Sequence, residues 1–371
     1  MSQPPFNFSS FPDIRDKYPG DLLVQGMYLE SQVPSSFNHH LSTDGEVLVG
    51  NAVSAFVCIL RHLFSHVNIR LRGDPTHTKR NPELHRQIRD VDEVANPLLR
   101  FAWSYFGSNR DSLLAQNSIM EDISKYLLEG NFGIRDLSFL SLMESPLMHQ
   151  TLLQRDPFLL YDPHPLSQPI EDDTDWEVDD GRNDPVGLAK RSLITWHGQG
   201  DLGDFIANRF RTQTNTSTNR RYIWTFHNPA IIRVHYHAPA TNSPRFPHLK
   251  DIRINARLRL KKSRSTVTIG PPETPMIFVL VAVVRLRLRP NDKDMIRRYS
   301  TDGSEVITPS DYSHTESNWK LGEPGRQFML YYTERPKEKT GLTLGETAWV
   351  SPGSAENLRD AGNWFQNATV S

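Results

Sequence analysis

The chain has 371 residues and one cysteine, and its 42 Lys and Arg nearly balance its 43 Asp and Glu. This length suits one large domain or two ordinary ones, and a single cysteine excludes an internal disulfide framework and any multi-cysteine zinc site. No signal peptide is recognisable, and the longest apolar run, PMIFVLVAVV at 275–284, is too short to span a bilayer. The sequence therefore predicts an intracellular protein, cytoplasmic or nuclear, without a membrane partner.

Charge is distributed unevenly along the chain. Residues 1–185 contain 15 Lys and Arg against 27 Asp and Glu, whereas residues 186–371 contain 27 against 16. The basic excess is largest within residues 186–300, with 21 basic residues against 6 acidic ones. Halves of opposite charge can attract each other within one fold, or they can present a basic surface to an acidic partner.

The first part of the chain is predicted to be helical after an irregular start. Residues 1–45 are rich in Pro, Ser, Asn and Asp and have no sustained period, which predicts an irregular N-terminal arm. Residues 46–160 are predicted to form a helical subdomain that opens with an apolar helix from Asn51 to Val67. Another helix should start at Pro82 and be divided at Pro97, because proline suits a first turn and breaks a helix interior.

A strongly acidic segment follows the helical part. EDDTDWEVDDGRND, residues 171–184, contains eight acidic residues in 14 and indicates a solvated linker or insertion at 161–186. A calcium-binding loop would need a glycine at its sixth position and a glutamate at its twelfth. No register of this segment supplies both, so a calcium site is excluded.

Beyond the acidic segment the hydrophobic period changes from 3.6 to 2. RYIWTFH, AIIRVHYH, KDIRINARLRLK, MIFVLVAVVRLRLR and RQFMLYYTE are predicted strands of a β-rich subdomain at 187–335, followed by a tail at 336–371. MIFVLVAVV has no polar face, which is typical of a central strand covered on both sides. The predicted fold class is α+β, with the N-terminal helical part packed on a mostly antiparallel C-terminal sheet.

Basic residues alternate along two of these predicted strands. If the strands adjoin, their outward side chains form a cationic face that could bind nucleic acid, with Tyr222, Trp224 and Phe226 of a neighbouring strand available to stack on bases. The alternative is a solvated face that discourages edge pairing. The candidate binding residues are Arg253, Arg257, Arg259, Lys261, Arg285, Arg287 and Arg289.

Two shorter patterns resemble ligand sites. Gly198, Gly200 and Gly203 form a G-x-G-x-x-G, but no Asp or Glu lies between Asp204 and Asp251 to bind a ribose, so the pattern is interpreted as a glycine turn before a helix. His235 and His237 share one face of a strand, but a zinc site needs further ligands. The sequence thus predicts neither a cofactor nor a metal site.

Cys58 is the remaining candidate for catalysis. On a helical wheel it lies on a stripe with Arg61 and His62, either of which could lower the pKa of its thiol. Reactive thiols are usually found at helix N-termini, where free N–H groups stabilise the thiolate, and Cys58 lies well inside its predicted helix. We interpret it as a small helix residue, with an active cysteine hydrolase as the alternative.

The order of these parts resembles that of the ubiquitin-specific proteases, cysteine peptidases of papain-like fold. Gly50 and Asn51 match the start of that family's Gly-Asn-Thr-Cys-Tyr stretch, while Ala52 replaces the threonine and Val53 the nucleophilic cysteine. The stretches from Pro229 to Ile254 and from Phe278 to Arg287, together with GRQFMLYYTER, resemble later strands of the family. The Gly-His-Tyr that carries the catalytic histidine is missing, and His314 lacks the flanking glycine and tyrosine.

The resemblance implies a degenerate member of this family, because acyl transfer needs a thiolate and its partner base. It implies no catalytic residue, and it implies binding to a ubiquitin-like or other protein, or a scaffold role. Nucleic-acid binding through the basic face is the alternative function.

Overall fold

Helices dominate the N-terminal part of the chain, and strands dominate the C-terminal part. The structure is a computed structural model that describes residues 6, 8–32, 44–67, 71–77, 81–107, 110–129, 134, 137–148, 159–161, 167, 177–179, 192–210, 212–224, 229–255, 260–262, 267–269, 275–289, 292–306 and 319–335. The α-helices are α1 (Ile14–Lys17), α2 (Leu22–Ser31), α3 (Asp44–His66), α4 (Pro82–Arg86), α5 (Glu93–Ala95), α6 (Pro97–Ala102), α7 (Arg110–Glu129), α8 (Phe139–Glu144), α9 (Leu202–Arg209) and α10 (Phe246–Leu249). A π-helical stretch (Gln87–Asp92) joins α4 to α5, and short 3-10 helices span Phe8–Ser10, Pro75–His77 and Pro146–Met148.

The described strands form three sheets. They are β1 (Leu159–Tyr161), β2 (Glu177–Asp179), β3 (Leu193–Trp196), β4 (Thr212–Asn215), β5 (Arg220–Trp224), β6 (Ile231–His237), β7 (Asp251–Ile254), β8 (Leu260–Lys262), β9 (Val267–Ile269), β10 (Met276–Arg285), β11 (Met295–Arg298) and β12 (Gln327–Glu334). The largest sheet has the order β11-β10-β12-β6-β3, with β7 paired to the first half of β10. In it β3 and β6 run parallel and the other pairs are antiparallel. The smaller sheets are β2-β1-β5-β4 and β8-β9.

Strand β10 lies inside the largest sheet, with β12 on one side and β7 and β11 on the other, and it is covered on both faces, as its unbroken apolar sequence predicted. Leu280 and Val283 pack into a core with α9 on one face, whereas Val279 and Val284 pack into a core with α3 on the other. The register with β12 shifts between Leu280 and Ala282, which marks a β-bulge. Helices therefore cover the sheet, and the molecule is of mixed helix and sheet, with a mostly antiparallel largest sheet.

Between Ala52 and Ser65, helix α3 is buried around its whole circumference. Its apolar stripe, which includes Phe56 and Leu60, is fully buried, and so are Arg61 and His62 on its polar stripe. The Arg61 guanidinium donates hydrogen bonds to four backbone carbonyl oxygens, those of Tyr28, Leu29, Ala102 and Ser104. A polar stripe can be buried in this way because other segments supply acceptors for each of its donors.

Residues 8–32, within the predicted N-terminal arm, pack into the core that contains helix α3. Residues 8–32 form two helices, and Ile14 and Leu29 are fully buried. Arg15 is also fully buried, with ion pairs to Asp13 (2.7 Å) and Glu93 (2.6 Å). Helices this short have no sustained period, and a buried arginine has no apolar signature, so the sequence pattern could not reveal them.

The structure also differs from the prediction that KDIRINARLRLK is a strand, and it places a short strand in the acidic segment. KDIRINARLRLK is not one strand, because β7 pairs with β10 in the largest sheet while β8 pairs only with β9 among the described residues. Within the acidic segment, Glu177–Asp179 forms strand β2 and pairs with β1. The remainder of residues 161–186, apart from residue 167, lies outside the described residues, and so does the predicted tail at 336–371.

The proline signals are confirmed. Helix α4 starts at Pro82, with the Asn81 side chain accepting a hydrogen bond from the Leu84 amide. Helix α6 starts at Pro97, with Asn96 capping it in the same way through the Leu98 amide. In each case an asparagine cap satisfies an N–H group that has no partner within the helix.

Candidate functional site

The two candidate nucleophile positions lie deep inside helix α3. The helix starts at Asp44, seven residues before the predicted Asn51, so neither position is near a free N-terminal amide. Val53 is fully buried and Cys58 is 5% exposed, and both belong to the core between the helices and the sheet. The position that matches the family's nucleophile is therefore occupied by a core side chain.

The surroundings of Cys58 favour the neutral thiol. Burial raises the pKa of Cys58 to about 12, although the guanidinium groups of Arg298 and Arg61 act in the opposite direction. The free-energy cost of removing the thiolate from water exceeds the stabilisation that these two arginines give it, because a buried anion loses its hydration. At neutral pH the sulfur is thus a poor nucleophile.

His62, one helical turn after Cys58, is not placed to act as a base for it. Its Nδ1 lies 2.7 Å from a carboxylate oxygen of Glu30, and its Nε2 lies 2.9 Å from the carbonyl oxygen of Val281. Both ring nitrogens therefore face oxygen atoms of Glu30 and Val281, and neither is directed at the Cys58 sulfur by a hydrogen bond within the described residues.

Glu30 is the centre of a buried polar network that joins the helices to the sheet. Besides His62, its carboxylate accepts hydrogen bonds from the Ser65 hydroxyl (2.6 Å) and from the Arg298 guanidinium (2.7 Å). Although burial acts to raise it, these partners hold the pKa of Glu30 far below its usual range. The network links α2, α3 and β11, and sequence analysis missed it because its members are far apart in the chain.

Glu30, His62 and His66 are close enough to resemble a metal site, with one ligand atom from each within 4.8 Å of the others. The oxygens of Glu30 and both nitrogens of His62 are already used within the network. The Arg298 cation paired with Glu30 would also repel a metal ion. This cluster is therefore better explained as a structural ion network.

The predicted basic face is divided by the register of the sheet. Arg253 is exposed and lies opposite Ile277, whereas Arg285 lies eight residues further along β10. At the rise of an extended strand this separates them by roughly 26 Å. Strand β10 ends at Arg285, so Arg287 and Arg289 are loop residues and not strand positions as predicted.

Other predicted basic and aromatic positions fall elsewhere. Arg257, Arg259 and Phe226 lie outside the described residues, and Lys261 belongs to β8 in a separate sheet. Tyr222 lies on β5 in the four-stranded sheet, where its hydroxyl donates to Gln213. The single cationic sheet with adjacent stacking residues is therefore not formed by the residues described.

A smaller basic site does exist at the far end of β10. A cavity of about 220 Å³ is lined by four cationic residues and by Leu286, Asp292 and Met295. The cationic residues are Arg285, Arg287, Lys293 and Arg326. Arg285 lies 3.6 Å from Glu323, which partly offsets its charge. Lys293 and Arg326 were not predicted, because Lys293 comes from a loop and Arg326 from the residue just before β12.

The G-x-G-x-x-G stretch is explained by packing. A Cβ at Gly203 would lie 2.2 Å from the backbone oxygen of Arg253, so only glycine allows α9 to approach β7 this closely. The first turn of α9 is capped by the Asp201 carboxylate, which accepts a hydrogen bond from the Asp204 amide. A carboxylate at the start of α9 repels a phosphate group and so disfavours nucleotide binding there. The loop also borders an open cavity of about 710 Å³ beside Trp196 and Arg245.

His235 and His237 are close together on β6, and a third histidine joins them. Their ring centroids are 4.2 Å apart, and the ring of His197 lies 4.8 Å from that of His237. His197 follows β3, which runs parallel to β6. His197 comes directly after the LITW residues of β3, and this place in the sequence gave no indication of the pairing.

Comparisons with known proteins give only distant similarity. No protein-family model and no curated protein matches the chain. A chain of the SAGA Ubp8/Sgf11/Sus1/Sgf73 DUB module bound to ubiquitin aldehyde aligns over 84% of this chain and 71% of its own, with a TM-score of 0.34 and 10% identity. The Saccharomyces cerevisiae PAN2 pseudoubiquitin-hydrolase aligns over 82% and 92%, with a TM-score of 0.29 and 10% identity.

A third solved structure is similar at the same level. The Saccharomyces cerevisiae apo Pan2 pseudoubiquitin hydrolase-RNA exonuclease module in complex with AAGGA RNA aligns over 97% of this chain and 57% of its own, with a TM-score of 0.26 and 10% identity. These neighbours are ubiquitin-hydrolase-like modules, but the likeness is weak in both identity and superposition. Function therefore has to be inferred from this chain's own contacts. Among the helices described, none is both long and apolar enough to cross a membrane.

Proposed function

We propose that the chain is a non-catalytic binding or scaffold module of ubiquitin-hydrolase-like character, whose partner is a ubiquitin-like or other protein. The observation that carries the proposal is the burial of its only cysteine in the middle of helix α3, where the pKa of the Cys58 thiol is raised to about 12. Without a thiolate no acyl-enzyme can form at this residue.

The surroundings of two further residues support the same proposal. Val53, at the position matched to the family's nucleophile, is fully buried and has no nucleophilic atom. His62, the histidine nearest to Cys58 along the helix, uses both ring nitrogens toward oxygen acceptors. A nucleophile and its base are thus both lacking at the positions where α3 would have to supply them.

The test combines binding and turnover. Fluorescently labelled ubiquitin is titrated with the chain, and release of a fluorophore from ubiquitin's C-terminus is followed in parallel. We expect saturable binding without turnover, and identical behaviour of Cys58→Ala, because this residue does not touch the partner. Turnover that Cys58→Ala abolishes would overturn the proposal, and so would failure to bind ubiquitin together with failure to recover a protein partner by crosslinking.

The basic cavity supports a second candidate function, binding of nucleic acid. Four cationic side chains around about 220 Å³ give a local positive potential that attracts phosphate groups. The alternative function inferred from the sequence, nucleic-acid binding, is thus proposed for a different set of residues: Arg285, Arg287, Lys293 and Arg326. Arg253 lies at the opposite end of β10 and is not part of it.

A salt titration tests this candidate. Binding of a single-stranded RNA oligonucleotide should weaken with salt, with a log–log slope of about −0.7 for each phosphate contact. The double variant Arg287→Gln, Lys293→Gln should make the slope shallower by about 1.4, and Arg253→Gln is the matched control that should leave it unchanged. Salt-independent binding, or an equal loss in the control, would dismiss the candidate.

A further inference from the structure

We propose that His197, His235 and His237 form a binding site for a divalent transition-metal ion, with Zn²⁺ as the ion that fits best. The site is independent of the proposed function. His235 and His237 alternate on β6 and therefore project from one face of the sheet. The parallel register pairs Trp196 with Tyr236, so His197, one residue later, follows opposite His237.

The rings of His235 and His197 both neighbour the ring of His237, but the three do not yet form a closed ligand group of the kind seen at Glu30, His62 and His66. The centroid of the His237 ring is 4.2 Å from that of His235 and 4.8 Å from that of His197. His197 is exposed, so its side chain can change rotamer freely to complete the coordination. Three histidines with one position left open are a known ligand set for zinc, and imidazole also suits copper and nickel.

A neighbouring strand supplies the support that metal-binding histidines usually have. Gln327 of β12 lies opposite His237, and its Oε1 is 3.0 Å from Nε2 of His235. When Nε2–H donates to this oxygen, the lone pair of Nδ1 is the one available for a metal. Such a hydrogen bond fixes the tautomer and orientation of a ligating histidine.

The charges around the site also favour a cation. The carboxylate of Glu144 is near enough to act on His235 and adds a negative charge.

This arrangement differs from the Glu30 network in the way that matters for a metal. In that network the Glu30 carboxylate already accepts hydrogen bonds from an arginine and a serine, and Nε2 of His62 already faces two backbone carbonyl oxygens. In the present group the outermost ring, His197, is open to solvent, and an ion can enter from that side.

The test is calorimetric titration of the tag-free, full-length chain with ZnCl₂ after removal of metals by a chelator. One equivalent should bind, and CoCl₂ should give the visible absorption of a four-coordinate site. His197→Ala and His237→Ala should each weaken zinc binding by more than about 100-fold, because loss of a residue that merely supports a ligand already costs about 10–100-fold. His248→Ala, another exposed histidine, is the matched control and should bind zinc as the unaltered chain does.

His197→Ala keeps the test decisive, because an exposed side chain can be removed without unfolding the protein. Absence of zinc binding by the unaltered chain at micromolar concentrations would overturn the assignment. Zinc binding that survives His197→Ala, or that His248→Ala weakens equally, would place the ion elsewhere and overturn it as well.

Discussion

At the scale of single residues, the thiol of Cys58 shows how its surroundings suppress an intrinsic reactivity. A pKa of about 12 leaves roughly one thiol in 100,000 ionised at pH 7. We expect iodoacetamide to alkylate the native chain about a thousandfold more slowly than an exposed cysteine, and to alkylate it rapidly in denaturant. Mass spectrometry of timed aliquots measures both rates, and rapid labelling of the folded chain would contradict this prediction.

His66 makes folding sensitive to mild acid. Its Nε2 is buried without a hydrogen-bond partner, and burial, with His62 nearby, lowers the pKa of His66 to about 3. The unfolded chain takes up a proton as the pH falls through 6.5, while the folded chain does so only near 3. The free energy of unfolding is therefore unaffected by the titration of His66 above pH 6.5. It decreases as the pH falls from 6.5 toward 3, with a limiting slope of about 1.4 kcal/mol per pH unit.

Urea unfolding at pH 7 and pH 5 of the unaltered chain and of His66→Leu measures this effect. The free energy of unfolding should fall less between these pH values in the variant, whatever its stability at pH 7. In the variant, the pH dependence of the free energy of unfolding should be reduced but not abolished, because His235 and His237 also have lowered pKa values. Parallel pH dependences of the two proteins would refute the assignment to His66.

At the scale of elements, the Glu30 network holds helices α2 and α3 against strand β11. Glu30→Gln removes the carboxylate charge that Arg298 faces and leaves this arginine, 3% exposed in its side chain, without a counter-charge. Breaking a buried ion pair from one side costs about 3–5 kcal/mol, so denaturant unfolding should show a loss of that size.

Glu121→Gln is the matched control for Glu30→Gln. Its partner Lys125 is 2.6 Å away within one helix, and both side chains are well exposed. Loss of an exposed pair of this kind has little effect on stability, because solvent screens the two charges. If Glu30→Gln costs no more than Glu121→Gln, the network does not hold the helices to the sheet.

At the scale of the whole molecule, the sequence predicted what depends on local period and missed what depends on distant partners. The strands β6, β10 and β12 were predictable because alternation or an unbroken apolar run is visible within ten residues. Period also indicates which face of a strand a residue occupies, but not which strand lies beside it or where the strand ends. That is why Arg253 and Arg285 were placed on one face, although the register separates them by most of the length of β10.

The candidate sites follow the same rule. The unsuitability of Cys58 could be inferred from its place inside a helix, because that argument is local. The partners of Glu30, in contrast, come from two distant elements, α3 and β11, and His197 joins His237 only through the parallel pairing of β3 with β6. Buried polar contacts between remote segments have no period, so no local pattern indicates them.

The two cores share one sheet, which predicts that helices and strands unfold together. Leu280 of β10 is 1% exposed and packs on the α9 side, whereas its neighbour Val281 packs on the α3 side. Leu280→Ala leaves a cavity in one core and should cost about 2–5 kcal/mol. Because β10 contributes to both cores, the slowest-exchanging amides of α3 and of β12 should lose protection by the same factor in hydrogen exchange. Faster exchange in β12 with unchanged exchange in α3 would instead mean that the helices and the sheet open as separate units.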